Sequence, residues 1–372
     1  MQVESGALSL FLELAAIPSP PGEERAVADA VLRYLRGLGL EADEDDCGER
    51  IGSTMGNIYA RLEPTASGTP IFLCAHLDTV PPSGALEPVV DDGIVRNAGG
   101  TILGADDKAA VVVMLEAVRR VLSENRPHAG IELLFTPKEE VGLVGAGAFD
   151  HDRLHAELGY VYDQAAPIGE IMLGAPWSQA LEVTFHGRAA HSGMFPEEGR
   201  SAVQAAAKAI ADLRLGRIDE ETTANVGVIS GGTAGNIIPE WCTFRAEARC
   251  HDERRLNELV QEMVDACSFA ATATECEVET ELRKSYNGYR FRRDEPVVQL
   301  AARALSSRGY EPRYVLSGGG ADANVFNDRG RRCVNLANGM IDIHTPDERI
   351  AVDDLDAMVE VTLALVDAAC SA

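Results

Sequence analysis

A chain of 372 residues exceeds what one hydrophobic core usually organises, so two domains are expected. With 46% hydrophobic and 25% charged residues and no repeat or low-complexity tract, it has the composition of an ordinary globular protein. A net charge of −26 argues against nucleic acid or an anionic membrane surface as partner.

Residues 1–14 carry acidic groups and no basic cluster ahead of an apolar stretch, so no signal peptide is expected. The longest apolar run, 109–115, is too short to cross a bilayer. Eight scattered cysteines without a Cys-x-x-Cys pair point to reduced thiols and a cytoplasmic location.

Periodicity predicts a helix over 8–17 that stops at Pro18-Ser19-Pro20-Pro21, then an amphipathic helix over 24–38 with Val27, Val31 and Leu35 on one face. Short apolar runs follow at 57–60, 71–75, 131–136 and 158–162, with a helical stretch at 108–122 between the second and third. Strands alternating with helices predict an α/β fold, a doubly wound and mostly parallel sheet. Near Pro176 the pattern changes to one-sided strands at 179–186, 225–229, 242–250 and 275–282, with helices at 201–213 and 253–269. That describes a small α+β domain with an antiparallel sheet. After about Arg293 the doubly wound pattern returns, with a helix at 295–307, strands at 313–316 and 333–336 and a helix at 352–369. The expected organisation is a large domain of residues 1–176 and 287–372, with 177–286 inserted as a lid.

In open parallel sheets, ligands bind at the carboxyl ends of the strands. His76 and Asp78 follow the run 71–75, Glu139 and Glu140 follow 131–136, and Asp163 follows 158–162. Asp106 and Asp107 lie in a turn that opens a helix, and His344 follows the run 339–343. Two histidines and several carboxylates without cysteine form an oxygen and nitrogen ligand set suited to hydrolytic zinc, cobalt or manganese. Each motif alone reads more simply as structure: a buried His-x-Asp pair, a solvated Glu-Glu loop, an acidic helix start. Their conjunction at successive strand ends favours a metal centre.

The phrases Ala75-His76-Leu77-Asp78-Thr79-Val80-Pro81, Gly104-Ala105-Asp106-Asp107-Lys108, Glu139-Glu140-Val141-Gly142 and Ile343-His344-Thr345-Pro346 resemble the signature of the zinc exopeptidase superfamily. That superfamily includes peptidase T, carboxypeptidase G, succinyl-diaminopimelate desuccinylase and aminoacylases. The resemblance spans nearly the whole chain, including Gly187-Arg188-Ala189-Ala190-His191-Ser192-Gly193 in the insertion. The phrases at 103–108, 135–140 and 319–324 are most similar to the peptidase T-like branch. One departure is Ala110, where relatives commonly carry glycine; the position reads as helix packing.

The resemblance implies two zinc ions per subunit, with cobalt or manganese as alternatives. Asp106 would bridge them across a cis Asp106–Asp107 peptide, His76 and Asp163 completing one site and Glu140 and His344 the other. It further implies Asp78 orienting His76, Glu139 as general base, and His191 as an oxyanion donor supplied by the lid. His128, His151, His155, His186 and His251 lack partner motifs and read as surface or packing residues. Asn236 and Arg249 read as substrate contacts or as structural residues, and the run containing Gly319 as an amide site for a substrate carboxylate or as a plain loop. The implied activity is removal of the amino-terminal residue from short peptides. An N-acyl amino acid deacylase or a carboxypeptidase on the same machinery is the alternative, and a homodimer through the lid is possible.

Overall fold

The computed structural model describes residues 6–370. Residues 1–5, part of the stretch expected to lack a signal peptide, lie outside the described residues. The chain divides into two compact units, one built from residues up to Gly174 and from Arg290 onward, the other from Ala175–Tyr289.

The large unit is organised by a mixed sheet with a parallel centre. Ile131–Thr136, Ile71–His76, Leu158–Val161 and Arg332–Leu336 lie side by side in that order, all parallel. Antiparallel strands border this centre, Ile58–Leu62 on one side and Glu170–Ala175 on the other. Every residue of Ile71–His76 and Ile131–Thr136 is buried, which is why both read as continuous apolar runs rather than alternating ones. Gly159 pairs with Phe72, and a Cβ there would come within 1.9 Å of the Phe72 ring. Only glycine lets that ring lie across the neighbouring strand, where it also meets Phe326 at 4.8 Å.

The helix Ala105–Ser123 packs against Ile71–His76, Gly6–Ala15 and Val352–Cys370. It is buried along most of its length, as an apolar helix with little amphipathicity must be. It begins three residues before the expected start at 108, with Asp106 and Asp107 in non-helical conformations inside its first turn. The sheet of Pro88–Asp91, Ile94–Asn97 and Arg349–Ala351 was not expected. Its hairpin turns at Asp92-Gly93, where φ is 49° and 76°, the double left-handed turn that Asp-Gly favours. The flanking strands are short, and their apolar residues fall in adjacent pairs, Val89-Val90 and Ile94-Val95, so no alternation marks them.

The small unit is a five-stranded antiparallel sheet in the order Gly216–Asp219, Thr222–Gly231, Trp241–Cys250, Trp177–His186, Glu277–Tyr286. Leu181, Val183 and Phe185 point alternately into a core shared with Phe244, Leu256 and Met263. Helices Ala202–Asp212 and Glu253–Ala273 supply the rest, each started by a side-chain cap from Ser201 or Asp252. No helix among the described residues is long and apolar enough to cross a membrane.

Candidate metal centre

Three adjacent parallel strands deliver their carboxyl ends to one place. Ile71–His76 ends in His76, Ile131–Thr136 leads to Glu139 and Glu140, and Leu158–Val161 leads to Asp163. Lys138 takes the left-handed region at φ 57°, turning the chain so that both glutamates follow the strand immediately. Asp106 comes from the first turn of Ala105–Ser123, and His344, at φ 64°, from the loop beyond Arg332–Leu336.

These residues converge. His76 Nε2 lies 3.2 Å from Asp106 Oδ1, and His344 Nε2 lies 3.0 Å from Asp106 Oδ2. Asp106 therefore turns one oxygen to each imidazole. His344 Nε2 is also 2.9 Å from Glu140 Oε1. One ligand atom each from His76, Asp106 and Glu140 falls within a mutual 4.8 Å, and the same holds for His76, Glu139 and Asp163. The Asp106–Asp107 peptide is cis.

The electrostatics show what this cluster lacks. Burial, reinforced by the nearby charges of Asp106 and Glu139, pushes the Asp163 carboxyl well above the usual range. Burial does the same to Glu139, with Asp322, Glu140 and Asp106 adding to it. Burial opposes the charge of Asp106 too, but the imidazoles of His344 and His76 outweigh it and hold that carboxyl below its usual value. Hydrogen bonds to Asp106 and Glu140 push His344 up to about 10. Among the described residues no Lys or Arg pairs with Asp106, Glu139, Glu140 or Asp163. Four clustered carboxylates with two imidazoles are a donor set short of positive charge, which divalent cations bound by oxygen and nitrogen would supply.

The tautomer of His76 fits the same conclusion. Its Nδ1 is 2.9 Å from the Asp78 carbonyl oxygen, which can only accept, so Nδ1 carries the proton. In the neutral ring that leaves the Nε2 lone pair facing Asp106, where a cation between them would be held by both.

Asp78 has a second set of partners besides His76. Its carboxylate accepts from the backbone N–H of Glu139 at 2.9 Å and of Glu140 at 3.1 Å, and lies 3.5 Å from His76 Nδ1. The residue meets His76 Nδ1 through both its carbonyl and its carboxylate, and the same carboxylate secures the Glu139-Glu140 turn. Two unpaired amides at a strand end compete successfully for a charged acceptor.

His191, Asn236 and Arg249 all belong to the small unit. His191 Nδ1 accepts from the amides of Gly193 at 3.2 Å and Met194 at 3.1 Å, so its proton sits on Nε2, which is left as a donor. The carbonyl of Asn236 accepts from Ser192 N at 3.0 Å, tying Asn236 to the His191 turn. Arg249 is half-buried and pairs with Glu247 at 3.0 Å. Gly319 lies in the large unit, and its amide donates to Ser317 Oγ at 3.1 Å, so this N–H is engaged within its own loop rather than left for a carboxylate. Ala110 is fully buried in its helix, in keeping with packing. Of the other histidines, His151 packs against Phe149 and Phe326, and His186 stacks on Trp241.

Supporting residues went unnoticed in the sequence. Asn335 clamps the Asp163 backbone, its Oδ1 accepting from Asp163 N at 2.9 Å while its amide donates to the Asp163 carbonyl. Asp322 is fully buried and accepts from Thr136 Oγ1 at 2.6 Å, at the end of the strand that carries the glutamates. Glu348 accepts from three backbone amides around Asp106. Periodicity carries no trace of such contacts. The one available signal was Gly104 at a helix start, a cap position without a side chain to fill it.

Residues 72–368 match the family model described as peptidase family M20/M25/M40. The uncharacterized protein YqjE of Bacillus subtilis is 37% identical over 366 residues, which cover 98% of this chain and 99% of that one. Among solved structures, aminopeptidase PepT from Bacillus cereus is 38% identical with a TM-score of 0.89, the match covering 98% of each chain. A tripeptidase from Staphylococcus aureus is 33% identical with a TM-score of 0.95, covering 100% of this chain and 99% of that one.

Proposed function

The chain belongs to peptidase family M20/M25/M40, in its peptidase T-like branch, and from that premise we propose that it removes the amino-terminal residue from short peptides, tripeptides among them, at a two-metal centre in the large unit. Peptide hydrolysis follows from the family. The choice of the amino-terminal bond is supported by the similarity to an aminopeptidase and a tripeptidase. The observation that carries the metal centre is Asp106, presenting one oxygen to His76 and the other to His344.

His76 and Asp163 would hold one ion, Glu140 and His344 the other, and Asp106 both, with zinc the expected metal and cobalt or manganese able to replace it. When bound, the ions supply polarisation of the scissile carbonyl and a water of lowered pKa. Glu139 takes the proton of the attacking water and returns it to the leaving amine. Asp78 keeps Glu139 and Glu140 in place through their amides, so the two adjacent glutamates divide the work. His191 donates from Nε2 to the oxyanion.

An assay of zinc- and cobalt-loaded protein against di-, tri- and N-acetylated peptides tests this reading. Free-amine tripeptides should lose their first residue, and the acetylated forms should resist. Release of acetate would establish a deacylase instead, and release of the last residue a carboxypeptidase.

A further inference from the structure

Glu348 is 1% exposed, yet both its oxygens are engaged. Oε2 accepts from the amides of Leu103 at 2.7 Å and Gly104 at 2.8 Å, and Oε1 from the amide of Asp106 at 3.0 Å. These are unpaired donors at the start of the helix Ala105–Ser123, where its dipole favours an anion. Gly104 occupies the cap position with φ 76° and has no side chain to satisfy them. The cap therefore arrives from a carboxylate more than 240 residues along the chain.

The segment that brings it is the one that carries His344. Ile341 and Arg349 exchange backbone hydrogen bonds of 3.0 and 3.1 Å and close the loop between them. Within that loop Thr345 Oγ1 donates to the Asp342 carbonyl at 2.7 Å, and Glu348 N donates to the Thr345 carbonyl at 3.2 Å. Immediately after Glu348, Arg349–Ala351 pairs with Ile94–Asn97. His344 thus sits on a short closed loop that is pinned, through Glu348, to the backbone of Asp106 itself.

We infer that Glu348 is a positioning residue that sets the approach of His344 to Asp106, and so completes the Glu140 and His344 half of the centre. His76 and Asp163 are held independently, by the strands Ile71–His76 and Leu158–Val161 and by the Asn335 clamp. Loss of the Glu348 contacts releases the His344 loop and the Asp106 amide together, so the half that depends on both His344 and Asp106 loses more than the half that His76 and Asp163 also hold. The inference rests on the two-ion reading given above.

The test is calorimetric titration of ion-free parent and E348Q chains with cobalt, with the visible absorption of each bound equivalent recorded. Glutamine keeps one acceptor oxygen, but its NH2 group cannot accept from an N–H, so at least one of the three contacts is lost at nearly constant volume. The parent should take up two equivalents. In E348Q the second should weaken by about 10- to 100-fold, the usual cost of removing a group that orients a metal ligand, with an altered absorption band, while the first, which shares Asp106 but not His344, weakens by clearly less. Should E348Q not yield folded chain, E348D, which retains both acceptor oxygens on a shorter stem, carries the same test. Unchanged isotherms, or equal weakening of both equivalents, would overturn the inference, the second by making Glu348 a general prop of the fold. A parent that takes up fewer than two equivalents would overturn the two-ion reading and the inference with it, a failure told apart because it shows in the unsubstituted chain.

Discussion

The two units bury polar groups very differently. In the small unit the described core is aliphatic and aromatic, built on Val183, Phe185, Phe244 and Leu256, and Ser178, Gln179 and Thr222 are its buried polar residues. In the large unit His76, Asp78, Asp106, Asp107, Glu139 and Asp322 are all buried near one edge of a parallel sheet. Burying a charge is costly unless something compensates it. A core that carries carboxylates against that cost is organised for chemistry, and one that carries none is organised for stability. Substitutions in the two regions should therefore separate activity from stability.

The sharpest separation is expected at Glu139. Glu139→Gln keeps the shape and removes the base, so turnover of a tripeptide should fall by roughly 10²- to 10⁴-fold, with metal content per chain unchanged by elemental analysis. Loss of metal from this variant equal to that from Glu140→Gln would break the division of labour between the two glutamates. On the other side, Phe244→Ala should destabilise the chain by about 3–5 kcal/mol in denaturant unfolding, with metal uptake by the remaining folded chain intact. Reduced metal affinity there would mean that the small unit's core also supports the centre.

His191 probes whether the small unit is scaffold alone. Its Nδ1 is engaged by Gly193 and Met194, so the available donor is Nε2. His191→Ala should lower turnover by about 10²- to 10³-fold if that donor meets the oxyanion, without change in metal content or unfolding midpoint. Unchanged turnover would return His191 to the role of a turn residue.

A smaller effect concerns pH. Glu139, Asp163 and His344 have raised values in the folded chain, so each binds its proton more tightly there than when unfolded. Stability from such groups is complete below their unfolded values and is lost as pH rises toward the folded ones. The window opens near an unfolded carboxylate value of about 4. It closes toward about 10 at His344. Asp106, held low, keeps its contribution across that range. Ion-free chain should therefore unfold at lower denaturant at pH 8 than at pH 5.5, and Asp163→Asn should flatten the slope. A parent slope of opposite sign would contradict the electrostatic picture.

Much of this was legible in the sequence, for a physical reason. Ile71–His76 and Ile131–Thr136 are buried on both faces, so they stand out as unbroken apolar runs, and the candidate ligands follow where each run ends. The proposed bridging role of Asp106 and the cis bond after it came from resemblance to a family, because no periodicity encodes them. What left no pattern was either short or polar and distant. The hairpin at Asp92-Gly93 has short strands whose apolar residues sit in adjacent pairs, Val89-Val90 and Ile94-Val95, so it shows no period although its turn dipeptide is plain. Glu348 reaches amides more than 240 residues away, and the Asp78 carboxylate binds amides 61 and 62 residues ahead. Contacts between a side chain and a remote backbone leave no local pattern to read.

The most direct test of the two-metal centre is anomalous diffraction at the zinc edge from crystals grown with zinc. Two peaks roughly 3.5–4 Å apart are expected, with Asp106 between them. His76 and Asp163 should contact one peak, and Glu140 and His344 the other. A single peak, or a pair that Asp106 does not join, would contradict the account.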